Sequence, residues 1–348
     1  MKVQLYMCGG EHPISEIPLG VGYLLTNTLD AKPVYVKDWR DLHGADIVGL
    51  STNAWGLSEA FDIAQRLSVT STNSRIVLGG QGALWRKLEE FNGHPFHNIV
   101  RGDGERALNA IIMGHVAMKT VVEKRIEDID TLKWPERGVC GSSVPIITSR
   151  GCPYNCAFCT SRAQWGKPRL RSVASLADEI KYLLRRYPHM KELYILDDLW
   201  AYPEERFDEF FAWWMGHELN KKLTLRGFIR SNMATKKLFV RMKKMGFSRI
   251  RFGAETASPR LLKLVNKGAT VEDHQRAVDL AAEVGLPITA SFMYGLPGET
   301  KEDLALTAKF LSKNKGKLRR EGWYKFRAFP GCKLWDGESP LKYDMRVR

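Results

Sequence analysis

The chain has 348 residues, 44% of them hydrophobic, enough for more than one core and unlike a disordered protein. Its formal net charge of +14 favours polyanionic partners, and six cysteines are too few for a disulfide scaffold at this length. The sequence has no run of about 18 apolar residues and no leader-like layout in MKVQLYMCGG, so a soluble cytoplasmic protein without a membrane partner is expected.

Short apolar runs alternate with helical patterns through the first third, the βα rhythm of a doubly wound sheet. Strands are expected at 3–7, 34–37, 47–51, 76–78 and 98–100, with helices at 19–29, 57–67, 84–91 and 105–112. Glycines follow the strand ends at Gly9-Gly10, Gly79-Gly80 and Gly102–Gly104, where ligands of such sheets bind. A first domain over 1–114 and a linker over 115–144, with a possible strand at 116–122, complete this part.

A second βα series occupies 145–331, followed by a short tail over 332–348. Strands are expected at 145–149, 192–196, 224–229, 249–252, 287–294 and 325–329. A helix at 175–187 opens on Ser175 as N-cap, with Asp178 three positions on. Six βα units fall short of the roughly 250 residues of a full eight-fold barrel, so a partial barrel is expected.

The segment SRGCPYNCAFCT at 149–160 directly follows the first of these strands and spaces Cys152, Cys156 and Cys159 by four and three residues. Thiolates are the usual ligands of 4Fe–4S clusters, and three of them leave one iron open for another ligand. No histidine or further cysteine stands nearby at zinc-finger spacing. The other cysteines, Cys8, Cys140 and Cys332, are scattered.

This C-x3-C-x2-C loop, with Phe158 before its last cysteine, resembles that of radical S-adenosylmethionine (SAM) enzymes. The resemblance implies a 4Fe–4S cluster on the three thiolates and SAM chelating the open iron. One electron then cleaves SAM to a 5′-deoxyadenosyl radical. It also implies a flavodoxin- or ferredoxin-type electron donor. Later strand ends continue the likeness. ILDD at 195–198 offers Asp197 and Asp198 to the SAM amine; RSN at 230–232 offers Arg230 and Ser231 to its carboxylate or to a substrate anion. GAET at 253–256 offers Glu255 to SAM hydroxyls. GLPGET at 295–300, with Gly295 and Pro297, is a structural turn lining adenosine, and Glu299 is a capping residue there. LKLVNKG at 262–268 and AFPG at 328–331 are also similar.

The first domain resembles the cobalamin-binding Rossmann-like domain that precedes the barrel in a large radical SAM subfamily. IPLG at 17–20, LGG at 78–80 and VRGDGE at 100–105 carry the likeness. It implies cobalamin near Gly20, Ser51, Gly79, Gly80, Gly102 and Gly104. No D-x-H-x-x-G run offers a histidine to cobalt, and Gln81-Gly82 stands where relatives often have Pro-His. His12 is a loop histidine within reach of a cofactor, or simply solvated.

Three functions stay open on this reading. One is cobalamin-dependent methylation of an unactivated carbon. A second is cobalamin-independent rearrangement or cyclisation on a relict first domain, with a nucleotide or nucleic acid among possible substrates. The third is nucleic-acid binding with a structural cluster. Eleven Lys or Arg and no acid between 220 and 254 suit a polyanion or a solvated helix face equally. Cys332, where relatives carry threonine, is a candidate hydrogen donor or a small packed residue.

Overall fold

The computed structural model describes residues 1–10, 15–84, 86–118 and 120–335, with the backbone alone at 120, 122–124 and 320–321. The chain forms two compact units, 1–140 and 141–336.

In the first unit β1 (Val3–Cys8), β2 (Val34–Tyr35), β3 (Ile47–Thr52), β4 (Arg75–Gly80), β5 (Asn98–Gly102) and β6 (Thr120–Lys124) form one parallel sheet in the order β2-β1-β3-β4-β5-β6. Alternating side chains serve both faces, as a sheet covered on both sides requires. Val3, Leu5, Ile47 and Val77 pack with α1 (Leu19–Asn27) and α4 (Gly104–Ile112). Val48, Leu50, Ile76 and Leu78 pack with α2 (Leu57–Thr70). The sequence reading ended this domain at 114. Thr120–Lys124 instead extends the sheet, paired with β5 along its length. The helix expected over 84–91 is divided into α3 (Gln81–Leu84) and a 3-10 turn at Leu88–Phe91.

In the second unit β7 (Ser143–Ile146) is followed by a two-residue strand β8 (Ser149–Arg150). It pairs antiparallel with β9 (Arg169–Leu170), and α5 (Ser161–Trp165) lies between them. Then α6 (Val173–Arg186), β10 (Glu192–Ile195), α7 (Glu204–Gly216), β11 (Thr224–Ile229), α8 (Lys236–Lys244) and β12 (Phe247–Glu255) alternate. They are followed by α9 (Pro259–Leu264), α10 (Val271–Val284), β13 (Ile288–Tyr294), α11 (Lys301–Lys313) and β14 (Arg320–Lys325). The main sheet runs β14-β13-β12-β11-β10-β7, parallel and in sequential order, which is the topology of an incomplete βα barrel.

Two local readings are corrected. The last strand lies at Arg320–Lys325 rather than 325–329, because an edge strand pairs on one side only and need not show apolar alternation. The N-cap of α6 is Ser172, whose hydroxyl accepts from Ser175 N, so the helix starts three residues, most of a turn, earlier than its Ser175 signature.

Candidate functional site

The antiparallel β8–β9 pair closes the base of a loop that carries all three cysteines. Gly151 starts it with φ +97°, and a Cβ there would meet Trp165 at 2.9 Å, so this turn requires glycine. Arg150 and Arg169 stand 5.8 and 5.6 Å from the centre of the Trp165 ring. On the inner side Ala157 N donates to Val265 O (2.8 Å), Asn266 Nδ2 to Asn155 O (2.9 Å) and Leu334 N to Ala157 O (3.2 Å). Phe158 packs against Leu261, Val265 and Leu296. The loop is thus clamped to the segment after α9, the LKLVNKG stretch.

The three sulfurs lie within electrostatic reach of one another. Each accepts one N–H: Cys156 from Arg230 Nη1 (3.2 Å), Cys159 from Ser161 N (3.4 Å) and Cys152 from the Tyr154 backbone. Burial pushes the thiols of Cys152 and Cys159 up, the latter to about 11, and these donations pull the other way. Three thiols with one N–H donor apiece fit a 4Fe–4S cluster, in which each of three irons takes one thiolate. Among the described residues no three His, Cys, Asp or Glu converge as single-ion ligands, and a cluster asks for no such convergence.

Arg230 is buried at the end of β11, stacked 3.6 Å above the Tyr154 ring, and also donates to Lys267 O. Next to it Ser231 Oγ lies 2.7 Å from Nδ1 of His274, and both are fully buried. Burial first, then the Lys267 charge, holds the His274 pKa down at about 4 against an ordinary 6.5. The unfolded chain therefore binds a proton here that the folded one refuses. Stability should fall as pH drops from about 6.5 to 4, by an amount on the order of 3 kcal/mol from this group. Urea unfolding at pH 7.0 and 4.5 should show His274→Gln with a flatter dependence than the parent; equal slopes would assign the loss to other groups.

The two carboxylates at the end of β10 divide. Asp197 is buried and accepts from Thr148 N (2.7 Å), Ser149 N (3.1 Å), Ser149 Oγ (2.8 Å) and the Thr148 hydroxyl. It braces the chain that leads into the cysteine loop. Asp198 is exposed, accepts from Ser161 Oγ (2.7 Å), and lies close enough to Cys152 and Cys159 to act on their charges. Although the residue reaches the surface, the protein crowding its carboxyl strips away water and raises the pKa of Asp198.

Glu255 closes β12 in the left-handed region at φ +67°, beyond a register shift between Gly253 and Glu255. Its Oε1 meets Lys267 Nζ at 2.7 Å, a buried ion pair, and Lys267 stands 5.5 Å from the centre of the Phe158 ring. A strained non-glycine residue at a strand end is a mark of functional sites. Sequence reasoning missed Lys267, although it sits in the LKLVNKG segment. Gly295 turns at φ +79° with its N–H held by Glu299, which caps the turn, and Pro297 is exposed beside it. Cys332 is buried two residues before Leu334, which packs with Phe158.

In the first unit all strands run parallel, and the order β2-β1-β3 puts the switch in strand order between β1 and β3. Ligands of open α/β sheets bind at such a switch point. The register sets Cys8 beside Thr52 and Thr52 beside Gly80, so Gly9-Gly10, Ser51 and Gly79 surround this point. Gly20 and Gly10 have nothing within 4 Å of an added Cβ, and Gly79 only Val100 at 3.6 Å. Gly80 and Gly104 have packing reasons, since a Cβ would meet Thr52 O at 2.3 Å and Leu24 at 3.0 Å. Gly102 turns at φ +92°. Glu59, unnoticed in the sequence, accepts from Gly9 N (2.8 Å) and Tyr6 Oη (2.7 Å) and fixes the first loop. The open room at Gly10, Gly20 and Gly79 suits a bulky ligand. His12 lies outside the described residues.

A six-stranded parallel sheet in sequential order, with a three-cysteine loop after its first strand, defines a class, and residues 146–311 match the family model of the Radical SAM superfamily. The match takes in most of the second unit, and it is this stretch of the chain that is similar to the radical SAM superfamily. An uncharacterized methyltransferase of Pyrococcus horikoshii is 27% identical over 97% of this chain and 83% of its own. An anaerobic magnesium-protoporphyrin IX monomethyl ester cyclase of Rubrivivax gelatinosus is 26% identical over 76% of this chain; the match spans only 53% of that protein. Among solved structures, the radical SAM methyltransferase TsrM of Kitasatospora setae, with cobalamin and a 4Fe–4S cluster bound, superposes with a TM-score of 0.76 at 17% identity. It covers 96% of this chain and 73% of that one. The cobalamin-dependent radical enzyme OxsB, with aqua-cobalamin and SAM bound, gives 0.70 at 20% identity, covering 89% and 51%.

Proposed function

We propose that this chain is a cobalamin-dependent radical SAM methyltransferase acting on an unactivated carbon. The observation that carries the reading is the pairing, in one chain, of a three-thiol barrel loop with a Rossmann-like unit whose switch point is left open by small residues. The shared fold with the cobalamin-bound TsrM and OxsB, across both units, supports it.

When bound, the cluster and SAM supply one-electron cleavage chemistry, and cobalamin supplies a methyl group. Cys152, Cys156 and Cys159 hold the cluster, with Arg230 and the backbone of Tyr154 and Ser161 stabilising their thiolate form. Asp198 is the carboxylate open to a SAM ammonium, Asp197 holds the strand end that presents it, and Ser231 fixes His274. Glu255, steered by Lys267, and the backbone at Gly295–Pro297 line the nucleoside. Gly20, Ser51, Gly79, Gly80, Gly102 and Gly104 would lie around a bound cobalamin, with the open room at Gly20 and Gly79 and the close packing at Gly80 and Gly104 shaping the loops beside it. A flavodoxin or ferredoxin delivers the electron.

Protein purified without oxygen and mixed with hydroxocobalamin is expected to retain about one equivalent through desalting, as a ligand seated at a switch point does. Absence of retention in every redox state would remove methyl transfer. It would favour the second reading, radical rearrangement or cyclisation without cobalamin; the match to the cyclase over 76% of this chain supports cyclisation as the reaction type and carries no information on cobalamin.

A further inference from the structure

The basic run at 220–254 separates into two populations. On the outer helices the charges are answered: Lys221 by Glu218, Lys236 by Glu283, Lys237 by Glu204, Arg241 by Asp208, and Lys243 by Gly285 O. Lys222 and Lys244 are exposed, and Arg230 serves the cysteine loop. What remains are three arginines on strands. The register of β11 and β12 sets Arg226 beside Arg249 and Phe228 beside Arg251.

These three point away from the helix-covered side, where Leu225, Ile250 and Phe252 are buried, and stand half-buried on the sheet's inner face. Arg226 lies 3.7 Å from the centre of the Tyr194 ring and meets Glu192 at 3.2 Å. Arg251 stands 5.4 Å from the centre of the Phe228 ring. Neither Arg249 nor Arg251 makes an ion pair among the described residues. Arg319 joins from the start of β14, donating to Ser248 O at 3.4 Å. Glu192, already shared with Ser143 and Ser248, is the acid that faces the group. Burial, then the nearby Arg226, Arg251 and Arg319, lowers the pKa of Arg249, so the crowding is felt. Like charges gathered half out of water are costly, and a core built for stability alone would place apolar side chains here.

We propose that Arg249 and Arg251, flanked by Arg226 and Arg319, form an anion-recognition site that binds the carboxylate or phosphate of an elongated substrate. This names the substrate class for the methyltransferase reading and rests on it. Arg251 lies four residues before Glu255, about 13 Å along the strand. The anionic end is therefore held well below the strand ends, and the reacting carbon lies near the cysteine loop. A nucleic-acid duplex does not reach an inner sheet face, and most of the outer charges that would meet one are already answered, Lys222 and Lys244 excepted.

The test uses full-length protein with its cluster reconstituted, titrated calorimetrically with sodium pyrophosphate and, separately, with glutarate. Wild type should bind one of them: pyrophosphate for a phosphorylated substrate, glutarate for a carboxylate one. Arg249→Gln/Arg251→Gln should weaken that binding about tenfold for each guanidinium removed. Arg249→Lys/Arg251→Lys, keeping charge but not the planar fork, should fall between. Wild type that binds neither probe, or a Gln double variant that binds as well as wild type, overturns the proposal. A Gln double variant with a melting temperature more than about 5 °C below wild type would make the pair structural and also overturn it. SAM cleavage by the wild type is measured alongside: its failure with anion binding intact counts against the methyltransferase reading, not against the arginines.

Discussion

Replacing Cys152, Cys156 or Cys159 by alanine is expected to abolish SAM cleavage and remove the brown chromophore. In the proposed site each sulfur is one of three ligands in a single loop, and each has its own N–H donor, so no neighbour stands ready to substitute. Cys8, Cys140 and Cys332 are buried, and Cys8 and Cys140 belong to the other unit. Iron and sulfide assay together with 5′-deoxyadenosine detection under dithionite decides the matter. Full iron and turnover in any one variant would sink the ligand assignment. The three variants should keep their melting temperatures in the metal-free state, since the thiols add little packing.

Asp197→Ala is expected to cost about 3–5 kcal/mol, because it strands two backbone N–H groups and two hydroxyls in a buried site. The melting temperature should drop by on the order of 10 °C. Cluster content should fall as well, since Thr148 and Ser149 lead directly into the cysteine loop. Asp197→Asn keeps the shape but turns an amide toward donors, so an intermediate loss is expected. Stability equal to wild type with full iron would show that the brace is dispensable.

Much of this candidate site's placement was legible in the sequence because its groups stand at strand ends, where a short motif marks the turn. The cysteine loop, Arg230, Glu255 and the Gly295 turn all follow expected strands. What the sequence hid was orientation. Asp197 and Asp198 are adjacent just past the end of β10, and only the folded bend shows which one is sent into the protein and which is left open. Lys267 was obscured because its partner is twelve positions away, brought near by the turn after α9. The basic run concealed the strand arginines, since ion pairs on the outer helices depend on acids far along the chain, such as Glu204 and Glu283. The final strand was misplaced because REGWYK at 320–325, on the edge of the sheet, lacks the apolar run that marks a strand.

The two-residue ribbon at the base of the cysteine loop bears on how the enzyme loses and regains its metal. Eighteen residues lie between Arg150 and Arg169, pinned at both ends by β8 pairing with β9. Closing such a loop costs the chain only a logarithm of its length, and the barrel has already met that cost. Iron removal should therefore loosen this segment alone, leaving the sheet intact. Brief trypsin treatment of the metal-free protein should cut at Arg162 or Lys167 before any strand of the barrel, and a rebuilt cluster should protect both bonds.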